Sequence, residues 1–127
     1  MTAIPTKYES LLSSKALAHI ATLMPDGSPH VSPVWFDYDG EHVCINTAVG
    51  RQKERNMRRN PKVGISITDP DEPEHALCIR GVVVEITEKG SMEHMDGLTR
   101  RYRGSDWTPV PGQVRVVCKI RPEHVFG

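Results

Sequence analysis

The 127-residue chain balances 16 basic residues against 16 acidic ones, and its 38% hydrophobic content is ordinary for a globular protein. That length suits a single domain over residues 1–127 with one core, and zero net charge offers no general attraction to nucleic acid or to an anionic membrane. No apolar run approaches the ~20 residues of a membrane span, and the N-terminus lacks the charged and apolar regions of a secretory signal.

In chain order, Tyr8, Leu11 and Leu12 recur at helical spacing and predict a short N-terminal helix. A strand over Ala16 to Met24 ends at Pro25-Asp26-Gly27-Ser28, a strong turn signal because Pro presets φ and Gly accepts positive φ. A second strand over Pro29 to Tyr38 and a third over Glu41 to Thr47 flank the tight-turn pair Asp39-Gly40, so the three read as an antiparallel meander. Arg51 to Asn60 reads as a helix closed by Pro61. Val63, Ile65 and Ile67 alternate as a fourth strand, and the acidic, Pro-containing stretch Asp69 to His75 predicts an exposed loop.

Ala76 to Thr87 is a long β-run in which Gly81 marks a bulge or bend. Glu88 to Arg103 reads helical, with Met92, Met95, Leu98 and Tyr102 on one face directed at the core. A Pro/Gly loop over Ser105 to Gln113 carries Trp107, and Val114 to Ile120 forms the last strand before a short tail. About six hairpin-linked strands with two to three inserted short helices predict an α+β antiparallel barrel. Cys44, Cys78 and Cys118 are isolated in apolar runs, which predicts reduced thiols in a cytoplasmic protein. The histidines show no metal-ligand spacing, so no metal site is expected.

Charge is uneven along the chain. Residues 51–60 hold Arg51, Lys53, Arg55, Arg58 and Arg59 against Glu54 alone. The first turn of a helix carries unpaired N–H groups and partial positive charge, so cations placed there are unfavourable by a few tenths to ~1 kcal/mol each. A bound phosphate removes the conflict by accepting those N–H groups and neutralising Arg and Lys. A solvated charged face, with Glu54 and Arg58 paired at i, i+4, fits the same residues. Nucleic-acid binding fits less well, because the segment has no interleaved aromatics. There is no G-x-G-x-x-G, no G-x-x-x-x-G-K and no nucleophile elbow. His19, His42 and His124 read as exposed or edge-strand residues, and Trp35 either packs or lines a ring pocket.

Three segments occur together: Pro25-Asp26-Gly27-Ser28-Pro29-His30-Val31-Ser32-Pro33-Val34-Trp35, then Ile45-Asn46-Thr47-Ala48, then Arg51 through Pro61 with its R-x-K-x-R-N core. In combination the chain resembles the pyridoxamine 5′-phosphate oxidase-like split β-barrel flavoproteins, and most nearly the short deazaflavin-dependent reductases. The resemblance implies a homodimer with cofactor sites between the subunits, holding coenzyme F420 or alternatively FMN. It places Arg51 and Lys53 at the cofactor phosphate and Ser32, Pro33 and Val34 along the ring. Asn46, Thr47 and Ala48 fall on the neighbouring strand, Asn56 follows the phosphate pair, and Trp107 falls in a loop able to reach the partner's site. The implied chemistry is hydride transfer between the deazaflavin and a small conjugated acceptor. A non-catalytic flavin-binding module is the alternative, and no catalytic residue is assigned. The C-terminal basic residues that hold pyridoxamine phosphate in true oxidases of that vitamer are missing, so vitamin B6 oxidation is not expected.

Overall fold

The computed structural model describes residues 3–127; the first two residues of the stretch read for a targeting signal lie outside the described residues. After a 3-10 turn (Thr6–Tyr8), the elements are α1 (Glu9–Leu12), β1 (Ala18–Leu23), β2 (Pro29–Val34), β3 (Phe36–Tyr38), β4 (Val43–Ala48) and α2 (Gln52–Arg59). They continue with β5 (Lys62–Thr68), β6 (Ala76–Thr87), α3 (Ser91–Arg103) and β7 (Arg115–Phe126). The strands form one antiparallel sheet in the order β2-β1-β5-β6-β7-β4-β3.

This order contains its own geometric demand. β2 and β3 are the opposite edges of the sheet, yet only Trp35 separates Val34 from Phe36. Strands pack ~4.8 Å apart, so flat edges would stand roughly 29 Å from each other. One residue spans at most ~3.6 Å. The sheet must therefore curl until its edges nearly meet, giving an open, split antiparallel half-barrel.

The curl explains two departures from the sequence reading. The run Pro29 to Tyr38 is two strands broken at Trp35, so the count is seven strands and the meander does not form: β1–β2 and β3–β4 are hairpins on opposite edges. The last strand also runs on through Phe126, because β6 is long enough to pair with it as far as Cys78 opposite Phe126.

The junction is clamped from outside by α3. Tyr102 stacks on Trp35 with centroids 5.1 Å apart and planes 4° from parallel. Its hydroxyl donates to the Ala16 carbonyl at 2.7 Å and accepts the Phe36 N–H at 3.4 Å. Arg101 donates to the Leu12 and Ser14 carbonyls, tying the N-terminal helix to the same place. Inside the curl, Ile20, Phe36, Ile45, Ile67, Ile79 and Ile120 form the centre of the core, each almost fully buried.

The turns behave as their residues dictate. Gly27 and Gly40 take positive φ at the two hairpin turns, and Asp69 to Glu74 loops outward between β5 and β6. On α3, Leu98 is buried, but Met92 is exposed and Met95 only half-buried, so that face is not wholly directed at the core. Cys44 and Cys118 are buried, Cys78 is half-buried, and all three are free thiols. No helix among the described residues is long and apolar enough to cross a membrane.

Gly81 sits where the β6–β7 register shifts, as its place in the sequence predicts. A Cβ there would lie 2.8 Å from the Arg121 carbonyl oxygen and 2.9 Å from Ile120 Cγ2. Backbone cannot yield as a flexible side chain does. Gly81→Ala is expected to destabilise the fold by ~1–3 kcal/mol, the scale of core overpacking. Urea unfolding tests this, and an unchanged midpoint would show that β7 relaxes freely at the bulge.

Candidate functional site

The end of β4 runs through Gly50, at φ 97°, into α2, and β7 begins beside it with Arg115 opposite Ala48. This arrangement delivers Arg51, Lys53 and Arg115 to one end of a groove of about 320 Å³. Asn46 lines the same end, and Leu17, Pro33, Val34, Trp35, Met95 and Leu98 form the remaining apolar wall. The groove therefore has a cationic end and an aromatic–aliphatic end.

Arg115 is 8% exposed, unusual for an arginine without an acidic partner. Its Nε donates to Asn46 Oδ1 at 2.8 Å, and its terminal nitrogens reach only Gln113 Oε1 at 3.4 Å and Met95 Sδ at 3.3 Å. Among the described residues, none of the three cations pairs with a carboxylate. Burial lowers the Lys53 pKa, and the charges of Arg51 and Arg115 lower it further. Burial, then Arg51, does the same to Arg115. Three mutually repelling cations with no counter-charge form a site that an anion would relieve.

The one carboxylate in residues 51–60 is committed elsewhere. Glu54 is 3% exposed, accepts the Gly50 N–H at 2.8 Å and pairs with Arg58 Nε. So the Glu54–Arg58 pair expected for a solvated face does form, while Arg51 and Lys53 are left out of it. With Glu54 buried, that pair is an anchor of α2 and not a solvated face.

Of the other residues nominated from sequence, Pro33, Val34 and Asn46 line the groove. Ser32 lies opposite Ile20 on the inner side of the curl, with a buried Oγ that has no partner. Thr47 and Ala48 are buried in β4, and Thr47 Oγ1 likewise has no partner. Asn56 is not brought to the groove: it is fully buried and donates to Thr22 Oγ1 at 3.0 Å. Its Oδ1 accepts from Gln52 at 2.8 Å and Arg59 at 2.9 Å. It locks α2 onto β1.

Trp107 lies outside the groove, in a separate cavity of about 310 Å³ on the far side of Arg115, with the guanidinium 6.0 Å from its ring. His19 and His124 are exposed, and His42 hydrogen-bonds Asp39. Sequence reasoning passed over Leu17, Met95, Leu98 and above all Arg115 as groove residues. The usable signal was a lone cation inside the apolar run Val114 to Cys118.

The fold and this site define a family. The model of the pyridoxamine 5′-phosphate oxidase family matches residues 4–127, so the chain belongs to that family. It is 30% identical over 121 residues to a biliverdin reductase dependent on reduced F420 from Mycobacterium tuberculosis (strain CDC 1551 / Oshkosh), covering 93% of this chain and 83% of that protein. It also matches the solved structure of an F420 reductase with a TM-score of 0.87 and 37% identity, covering 97% of this chain and 98% of the other. A conserved hypothetical protein of Mycobacterium tuberculosis matches with a TM-score of 0.74 and 25% identity, over 97% of this chain and 84% of that one.

Glu54 carries a pH consequence. Burial alone would raise its pKa, but the Gly50 N–H and Arg58 outweigh it and hold the carboxyl below its ordinary value. A depressed native pKa stabilises the fold above the unfolded value of ~4.3, and that stabilisation is lost as pH falls through the native value. Glu54→Gln is expected to be less stable than wild type at neutral pH, with the two urea-unfolding curves converging in acid. A constant gap at every pH would remove Glu54 from the acid response.

Proposed function

We propose that this protein is an oxidoreductase that holds coenzyme F420 in the groove and passes a hydride between it and a small conjugated organic acceptor. The observation that carries the reading is the unneutralised trio Arg51, Lys53 and Arg115 at the mouth of an apolar wall. Its donor set suits a phosphate: two guanidinium forks, one ammonium, and the first N–H groups of α2. Similarity to two proteins named as F420-dependent reductases supports this cofactor over other phosphorylated ligands.

When bound, the reduced deazaflavin supplies the hydride, and the protein's part is to bind, orient and exclude water. Arg51, Lys53 and Arg115 would hold the phosphate. Pro33, Val34 and Trp35 would form the apolar side against the ring. Because β2 is a sheet edge, its outward backbone groups have no strand partner and are available to hydrogen-bond a ring alongside Ser32, Pro33 and Val34. Asn46, Thr47 and Ala48 would support the site from β4, across the groove at the other end of the sheet order. Asn56 contributes by anchoring α2, and Trp107 by covering Arg115 from behind.

Leu17 leaves 44% of its surface exposed on the groove wall, and Val49 and Val114, paired through their backbones where β4 and β7 meet, leave 50% and 42% exposed. These apolar side chains support a homodimer whose second subunit completes each site. The three free thiols support a cytoplasmic setting.

Titrating the purified chain with coenzyme F420 and with FMN, followed by fluorescence, tests the reading. F420 is expected to bind, and Lys53→Ala and Arg115→Ala are each expected to weaken it by ~1.5–3 kcal/mol, the scale of a charge-assisted contact. Binding of FMN alone would make this an FMN protein, and binding of neither would remove the flavin reading. Turnover of the reduced cofactor with conjugated acceptors separates an enzyme from a non-catalytic binding module.

A further inference from the structure

Arg115 depends on one short hydrogen bond. Of its three nitrogens, only Nε has an oxygen partner at ordinary distance, Asn46 Oδ1 at 2.8 Å. A guanidinium is planar, so fixing Nε fixes the direction in which the two terminal nitrogens point. The orientation of the Asn46 amide is therefore also the orientation of Arg115.

That amide is itself constrained. With Oδ1 taken by Arg115, Nδ2 faces two acceptors, the Ser91 carbonyl at 2.9 Å and His94 Nδ1 at 3.1 Å. An amide nitrogen only donates, so His94 Nδ1 must carry no proton. The neutral ring then holds its proton on Nε2, which lies 2.8 Å from Asp37 Oδ1, a carboxylate that can only accept. The four groups thus form a one-way chain of donors: Arg115 to Asn46, Asn46 to His94, His94 to Asp37. They come from β7, β4, α3 and β3, and this is the only direction that satisfies every bond. Reversing Asn46 alone would set its NH2 against the Arg115 Nε–H, donor against donor.

We infer that His94, oriented by Asp37, is a positioning residue that sets the Asn46 amide and through it aims the Arg115 guanidinium into the anion groove. The inference rests on the proposed anion-binding role of that groove, but the donor chain exists without a ligand and is measurable without one. His94 is not among the residues that line the groove.

The test uses the 15N-labelled full chain. In ligand-free protein at neutral pH or above, the nitrogen resonances of His94 are expected to report the Nε2–H tautomer, and Asp37→Asn is expected to shift it toward Nδ1–H. Two substitutions at His94 separate the links. His94→Asn keeps an acceptor near the Nδ1 position and loses Asp37, whereas His94→Gln keeps a donor toward Asp37 and loses the acceptor for Asn46.

His94→Gln is expected to speed exchange of the Arg115 Nε–H, and to weaken binding of coenzyme F420, by roughly tenfold, the effect of one modest hydrogen bond. His94→Asn should recover most of both losses, the remainder being the orientation that Asp37 supplied. In an Arg115→Ala background, His94→Gln should cost no further affinity, since a residue acting through Arg115 has nothing left to aim. An Nδ1–H tautomer in wild type, unchanged Arg115 exchange in His94→Gln, or equal affinity losses in both backgrounds would overturn the inference. If F420, FMN and inorganic phosphate all fail to bind wild type, the groove assignment falls. The tautomer and exchange measurements then still decide whether His94 orients Arg115.

Discussion

The structure depends on the single residue that joins its two edges. With β2 and β3 at opposite ends of the strand order and only Trp35 between them, the sheet has no flat solution. Curling encloses the core on one side. On the other it brings the β2 edge, the start of α2 and the start of β7 around one groove. The constraint also explains why α3 packs where it does. Tyr102 stacks on Trp35 and bonds the backbone of Phe36, just past the crossing, and of Ala16, just before β1, so the helix fastens the seam that the strand order creates.

Because the groove lies against this seam, its two ends have different origins. The apolar end is made of residues the barrel needs anyway: Val34 finishing β2, Trp35 at the crossing, Leu98 from the clamping helix. The cationic end serves no such purpose. Arg51, Lys53 and Arg115 stabilise nothing in one another, and the carboxylate best placed to help them is turned to Gly50 and Arg58. Local rules are broken at this end and kept at the other, which is why the proposed binding role falls here.

Much of this was legible in the sequence because the signals were local. Hairpin turns at Gly27 and Gly40, strict alternation in Val63, Ile65 and Ile67, the bulge at Gly81 and cations in the first turn of α2 each follow from a few neighbouring residues. What escaped was non-local. Nothing between Val34 and Phe36 announces that the chain is leaving one sheet edge for the other, since a strand pattern continues through both. Arg115 is 64 positions from Arg51 in sequence and meets it only through the pairing of β4 with β7. Asn56 shows the opposite case. It follows the phosphate pair closely, but the helical turn rotates it inward to Thr22.

The unpaired cations also make the surrounding solution part of the protein's stability. Any small anion that enters the groove relieves their repulsion and, by binding the folded state alone, raises the free energy of unfolding in proportion to the logarithm of its concentration. If the groove binds anions as proposed, sulfate or phosphate in a buffer would stabilise the folded chain and compete with a larger ligand at once. On that reading, melting temperatures of this chain are comparable only at matched anion concentrations.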